Sequence, residues 1–189
     1  MFQNNNGMTF DDITGDGRLW AVRYEGATDN ELFLLFEQWN DVVWLRKFFK
    51  ENFDDLKSYF RITDINQAIS ETIDDSEILE GVIMDISPKA NLDSIFRPLS
   101  NNRTLAELLE KMKARGEKTI QHSSWLRIYA IRLADGKYII TGGAIKLTAT
   151  MQERPHTKKE LDKIEKVRRF LLEEGIVDDE GFIDYMREL

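Results

Sequence analysis

Between Arg18 and Tyr24 the chain alternates, with Trp20, Val22 and Tyr24 on one side and Leu19, Ala21 and Arg23 on the other. That period of two predicts a strand, closed by a turn at Gly26. From Asp29 the period lengthens: Leu32, Leu35, Phe36, Trp39, Val42, Val43, Phe49, Phe53, Leu56 and Phe60 recur at three and four residues. The stripe predicts one long amphipathic helix, or two helices meeting near Asn52. Trp44, Leu45 and Phe48 widen it, so the segment is expected to pack on two sides, as core rather than as a ligand box. Residues 62–92 then read as a short helix around Ile65–Ile73, an acidic link at Asp74-Asp75 and an apolar stretch from Ile78 to Ile86. Thr104 and Glu107 make a capping box that opens a helix striped by Leu105, Leu108, Leu109 and Met112 and ended by Gly116.

The clearest pattern follows. Residues 125–133 alternate, Asp135-Gly136 is a two-residue hairpin signal, and Lys137–Thr148 returns as a second strand. Gly142-Gly143 interrupts the return, which predicts a bulge or a close backbone approach. A second capping box, Thr157 with Glu160, opens a helix striped by Leu161, Ile164, Val167 and Leu171 up to Gly175, and a helical turn is expected from Gly181 to Met186. The order predicts one α+β domain over 1–189, a small antiparallel sheet with helices packed on it. Around it lie a polar leader (1–17), an acidic helical insertion (about 50–95) and an acidic tail (170–189).

Composition narrows the chemistry. Without cysteine there are no disulfides, thiolate zinc sites or cysteine nucleophiles, and His122 and His156 are the only imidazoles, so neither metal nor other cofactor is expected. Asp12–Gly17 superficially suggests a calcium loop, but Arg23 stands where a bidentate glutamate is needed. His122 precedes Ser123 and Ser124, yet neighbours in an extended chain point apart, which argues against a Ser/His nucleophile. No apolar run reaches the length of about 18 residues that a membrane helix needs, and the opening lacks signal-peptide features; the expectation is a soluble, cytoplasmic protein without a membrane partner.

A net charge of −8 argues against generic nucleic-acid binding. The charge is unevenly spread, however. Residues 1–96 carry 8 Lys+Arg against 19 Asp+Glu, residues 97–169 carry 17 against 8, and residues 170–189 carry 1 against 7. A basic centre between acidic ends fits a phosphate-facing surface, internal charge complementarity, or helices with differently charged solvent faces.

The runs FRPLSNN (96–102), WLRIYAIRLADGKYIITGGAIKLTATM (125–151) and HTKKELDKIE (156–165), with RLWAVRYEG (18–26) ahead of a helix, resemble the RelE/ParE superfamily of toxin–antitoxin toxins, most closely its HigB and phage-encoded branch. The chain departs from the family in three ways: Leu147 stands where the second of two paired lysines is usual, the chain is longer through its acidic insertion, and it is acidic overall. The resemblance implies a RelE-like fold and a metal-independent endoribonuclease that cleaves mRNA, in many members on the ribosome, and is neutralised by a cognate antitoxin. It implies Arg127, Tyr129 and Lys146 as catalytic residues and Arg97, Arg132, Lys158 and Lys159 as RNA contacts. A non-catalytic protein-interaction module on the same fold, and a gyrase-directed toxin as in the ParE branch, stay open as alternatives.

Hairpin register bears on that site. A two-residue turn at Asp135-Gly136 pairs Ala134 with Lys137, Tyr129 with Gly142, Arg127 with Ala144 and Trp125 with Lys146, which puts Arg127, Tyr129 and Lys146 on one sheet face. A bulge at the glycines would separate Lys146 from the other two. Each residue also has a plain structural role open to it: Arg127 and Tyr129 on a half-exposed face, Lys146 at a strand end, Arg97 capping the sheet, and the lysines of 158–169 on a solvated helix face.

Overall fold

The computed structural model of the chain describes residues 7–84, 91–99, 109–116 and 122–188. The alternating segment forms strand β2 (Leu19–Tyr24), and the polar leader supplies a strand of its own, β1 (Met8–Asp12), paired antiparallel to it with Met8 opposite Tyr24. Met8 and Phe10 are buried, so the leader contributes core. Asp12 is a turn residue: its carboxylate accepts the backbone N–H groups of Gly15 and Gly17, both at 3.0 Å.

The long apolar stripe becomes three helices, α1 (Glu31–Asn40), α2 (Val42–Glu51) and α3 (Phe53–Phe60). The break at Asn52 was predicted; the break at Asp41 was not. Asp41 interrupts the stripe by capping: its side chain accepts from the N–H groups of Val43 and Trp44 at 2.9 and 3.1 Å. Conversely, the predicted break at Asp74-Asp75 is absent, and α4 (Ile65–Met84) runs through it as one helix. Buried Ala68, Ile69, Thr72, Ser76, Leu79 and Ile83 keep a continuous stripe on its inner face, so two acidic residues on the way cost little. After the single turn α5 (Leu92–Ile95) come β3 (Arg97–Pro98), β4 (Glu110–Arg115), β5 (Leu126–Arg132) and β6 (Tyr138–Ile145), then α6 (Pro155–Glu173) and α7 (Asp179–Glu188).

Residues 110–115, expected in a helix, are thus strand β4. Met112 and Ala114 face one layer while Lys111, Lys113 and Arg115 face the other, a period of two that pairing with β5 stabilises. The Thr104/Glu107 box lies outside the described residues. Helix α6 also starts earlier than expected, with Pro155 in its first turn. Thr157 Oγ1 is used on the carbonyl of Met151 at 2.6 Å and α6 has no side-chain cap; a capping box forms instead on the 3-10 turn Met151–Glu153 ahead of it, where Glu153 accepts from the Thr150 N–H at 2.6 Å.

The sheet has six strands in the order β1-β2-β6-β5-β4-β3. It is mixed, where an antiparallel sheet was expected: β2 and β6 run parallel, which the long connection between them, through α1–α5 and β3–β5, permits. Helices α1 to α4 cover one face, where Leu35, Trp39, Phe49, Leu56, Ile69 and Leu79 meet Leu126, Ile128, Ala130 and Ile140. Helices α6 and α7 cover the other, where Ile164, Val167, Phe170 and Phe182 meet Phe10, Val22, Ile131 and Ile139. The fold is therefore α+β with helices on both faces, and the acidic segment 50–95 shares the core of the first face through Leu56, Ile69 and Leu79. Among the described residues no helix is long and apolar enough to cross a membrane.

The hairpin loop has three residues, not two. Leu133 N–H bonds Lys137 O at 2.8 Å, Gly136 takes φ +79°, and Arg132 pairs with Tyr138. A bulge between Tyr129 and Ala130 leaves Thr141 without a ladder partner and restores the shift, so Tyr129 pairs with Gly142 and Arg127 with Ala144, as the simple turn predicted. The adjacent glycines serve opposite faces. A Cβ on Gly143 would lie 2.5 Å from the Arg127 carbonyl oxygen and 2.7 Å from Leu35 of α1, whereas one on Gly142 would collide with Glu160 and lie 2.7 Å from Lys163 Nζ of α6.

Gly143→Ala is expected to lower stability by about 1–3 kcal/mol through overpacking. Gly81→Ala, in α4 with nothing near its Cβ direction, is expected to raise it by about 1 kcal/mol. Urea unfolding of both variants checks the pair of opposite signs.

Candidate nucleic-acid interface

Cross-strand register builds the site. Arg97 of β3 pairs with Lys113 of β4, Lys113 with Tyr129 of β5, and Tyr129 with Gly142 of β6; one step along, Arg115 pairs with Arg127 and Arg127 with Ala144. Directly paired residues share a face, so Arg97, Lys113, Arg115 and Arg127 stand on the α6 side of the sheet with Tyr129. Lys146 follows just past β6, its backbone N–H on the carbonyl of Trp125 at 2.8 Å. Three strands and one strand end converge here, and the side chains opposite the cations on β6 are a glycine and an alanine.

Among the described residues none of these five cations pairs with a carboxylate. The hydrogen bonds of three of them run to backbone carbonyls: Lys113 Nζ to Leu99 O at 3.0 Å, Arg127 Nη1 to Ser124 O and Leu126 O, each at 2.7 Å, and Lys146 Nζ to Thr148 O at 2.9 Å and Ala149 O at 2.6 Å. Neutral acceptors fix geometry and leave the charge in place. The consequence is mutual repulsion in a partly desolvated setting. Burial, then Arg115, pushes Arg127 down to about 10. Burial followed by Arg115 and Arg127 lowers Lys113, and burial followed by Arg127, Lys113 and Arg115 lowers Lys146. Arg115 and Arg97 are exposed, Lys113 and Lys146 half-buried, and Arg127 only 8% exposed.

Tyr129 is 1% exposed and its hydroxyl has no hydrogen-bond partner among the described residues; it forms the floor of the cluster, in the core layer of Ile131, Ala144 and Ile164. Burial raises its pKa, against the lowering influence of Arg127. Beside it sits Glu160, made possible by Gly142. Lys163 bridges Glu160 Oε1 at 3.1 Å and Glu31 at 2.6 Å and also lies 3.0 Å from Oε2, but among the described residues Oε2 accepts no hydrogen bond. Burial raises the Glu160 pKa, Lys163 opposes it and Glu31 adds to it.

The remaining predicted contacts lie apart. Arg132 is on the opposite face, in line with Tyr138, and donates from Nε and Nη2 to Asp93 at 2.9 and 3.2 Å, so its charge is already matched. Lys158 and Lys159 are exposed on the first turns of α6. His122 bonds Glu71 at 2.6 Å, and His156 bonds the Ile145 carbonyl at 2.9 Å; neither enters the cation face. Lys113 and Arg115 were missed because their segment was assigned to a helix; the alternation Lys111-Met112-Lys113-Ala114-Arg115 was the available signal. Among the described residues no group of three or more His, Asp or Glu is placed to hold a metal ion. Comparison with protein-family models, curated proteins and solved structures finds no match for the chain.

The Glu160 proton supplies a check on this geometry. A carboxyl whose folded pKa is raised above its ordinary value of 4.5 favours the fold fully below that value and loses this contribution as pH rises through the folded pKa. The stability of the wild type relative to Glu160→Gln is therefore expected to be greatest at acidic pH and to fall towards neutrality in urea unfolding at a series of pH values. A difference that does not change with pH would mean that the buried carboxyl is not perturbed.

Proposed function

We propose that the cation face binds the phosphates of RNA and that the chain is a metal-independent endoribonuclease, the toxin of a toxin–antitoxin pair, as its resemblance to RelE and HigB suggests. One observation carries the reading: Arg97, Lys113, Arg115, Arg127 and Lys146 converge on one sheet face, and the described hydrogen bonds of Lys113, Arg127 and Lys146 run to carbonyls rather than carboxylates. Keeping five like charges together is unfavourable unless an anion completes the site.

In the proposed reaction the RNA 2′-oxygen attacks the adjacent phosphorus and the bond to the 5′-oxygen breaks, leaving a 2′,3′-cyclic phosphate and a 5′-hydroxyl. Arg127 and Arg115 hold the non-bridging oxygens as negative charge grows on them. Lys146, its pKa lowered by burial and like charges, takes the 2′-hydroxyl proton as the neutral amine; protonated Lys113, lowered in the same way, gives a proton to the leaving oxygen. Tyr129 supports Arg127 from below. Arg97 extends the phosphate track, and an antitoxin with acidic groups would neutralise the same face.

A second reading has its own support. The Tyr129 hydroxyl is buried and Lys146 Nζ is engaged by two carbonyls, which favours a non-catalytic module that binds an acidic partner through this face.

Expression without a partner in a bacterial host, with mapping of mRNA ends, separates the two. The nuclease reading expects growth arrest and new 5′-hydroxyl ends, both lost in Arg127→Ala and Lys146→Ala, with cleavage down about 100-fold or more. Intact mRNA beside a stably co-purifying protein would support the module instead.

A further inference from the structure

The acidic helix α4 carries no chemistry of its own, yet it grips the start of β5 at three points. Glu71 accepts from His122 at 2.6 Å, Thr72 Oγ1 accepts from Trp125 Nε1 at 3.0 Å, and Asp75 accepts the Ser124 hydroxyl proton. Glu71 and Asp75, at i and i+4, share one face of the helix, and Thr72 lies on its flank. His122 stacks on Trp125 with ring centres 4.7 Å apart, which stiffens the segment. Asp75 has room because the residue just past β4 is Gly116, where a Cβ would collide with the carboxylate.

Ser124 is the link to the cation face. Its Oγ also accepts from the Leu126 N–H at 3.0 Å, closing a small turn whose two carbonyls, Ser124 O and Leu126 O, both receive Arg127 Nη1 at 2.7 Å. A guanidinium tied to two carbonyls on one turn takes its direction from that turn. The turn in turn is held by Asp75 from the far side of the sheet.

We infer that Asp75 is a positioning residue for Arg127: by holding Ser124 it sets the two carbonyls that aim the guanidinium, so helix α4 tunes the anion affinity of a surface across the sheet from it. The inference rests on the reading of that surface as a phosphate site. Asp75 also favours the charged form of Arg127 against burial and Arg115. Positioning and charge are separable, because asparagine keeps an acceptor for the Ser124 hydroxyl and loses the charge.

The test is fluorescence-anisotropy binding of a 2′-O-methyl oligoribonucleotide, which cannot undergo the 2′-attack, to the full chain. Asp75→Ala and Ser124→Ala are each expected to weaken binding about tenfold, in line with loss of one buried hydrogen bond to a charged group. Asp75→Asn is expected to stay within about threefold of wild type, and Thr72→Ala, which breaks a neighbouring bond of the same helix, to leave affinity unchanged. Wild-type affinity in both Asp75→Ala and Ser124→Ala would overturn the inference, as would equal loss in Thr72→Ala or failure of asparagine to rescue. If Asp75→Ala does not fold, Ser124→Ala against Thr72→Ala decides. If the wild type itself does not bind, or Arg127→Ala binds as well as it does, the phosphate reading fails instead. The positioning claim is then read without ligand from the Arg127 Nε–H signal in NMR spectra. That signal is expected to shift in Asp75→Ala and return in Asp75→Asn; an unmoved signal would overturn it.

Discussion

Strand β6 is gripped from both faces through two adjacent glycines, and the architecture follows from that contact. Gly143 lets Leu35 of α1 meet the sheet from one side, and Gly142 lets Glu160 and Lys163 of α6 meet it from the other. A side chain at either position would push a helix away from the strand pair that forms the centre of the sheet. The approach at Gly142 also sets the line of α6. Its ties to the β4 edge are at the Leu109–Lys111 end, Arg168 to the Leu109 carbonyl and Glu165 to Lys111, while Lys113 and Arg115 lie beyond them towards the cation face.

The charged groups divide accordingly. Arg23, Arg132 and Arg154 are matched to Asp11, Asp93 and Asp55 and act as struts. Lys113, Arg127 and Lys146 on the α6 side are held by carbonyls, and burial with neighbouring positive charge lowers the pKa of each. Surface ion pairs contribute little to stability, so a protein loses little by leaving a cation unpaired; what calls for explanation is five of them together, with Lys113, Arg127 and Lys146 partly or largely buried. The proposed binding of a polyanion would account for it, and in the positioning role inferred for Asp75, α4 acts on Arg127 through that residue and Ser124 rather than by direct pairing.

Much of the hairpin was legible because strand alternation and turn chemistry are local. The pairings of Tyr129 with Gly142 and Arg127 with Ala144 follow from counting back from Asp135-Gly136, although the count succeeds only because a three-residue loop and a bulge offset each other. The α+β class and the helices ending at Gly175 and beyond Gly181 were likewise readable. Strand β4 was not, because a capping-box motif upstream and Leu109 and Met112 at helical spacing outweighed a short alternation whose value depends on the partner strand β5. The same holds for β1, whose Met8 and Phe10 are apolar only at alternate positions in a polar run. Buried ties such as Asp75 to Ser124 join residues far apart in the chain, and spacing alone carries no sign of them. Lys113 and Arg115 therefore enter the site only once the sheet is assembled.

A structure of the chain with a 2′-O-methyl oligoribonucleotide tests the central claim most directly. A backbone phosphate is expected within hydrogen-bond reach of Arg127 and Lys146 on the α6 side of the sheet, with Lys113 and Arg115 on its flanks. Nucleic acid bound elsewhere with the five cations untouched, or an acidic partner protein occupying that face in place of RNA, would contradict it.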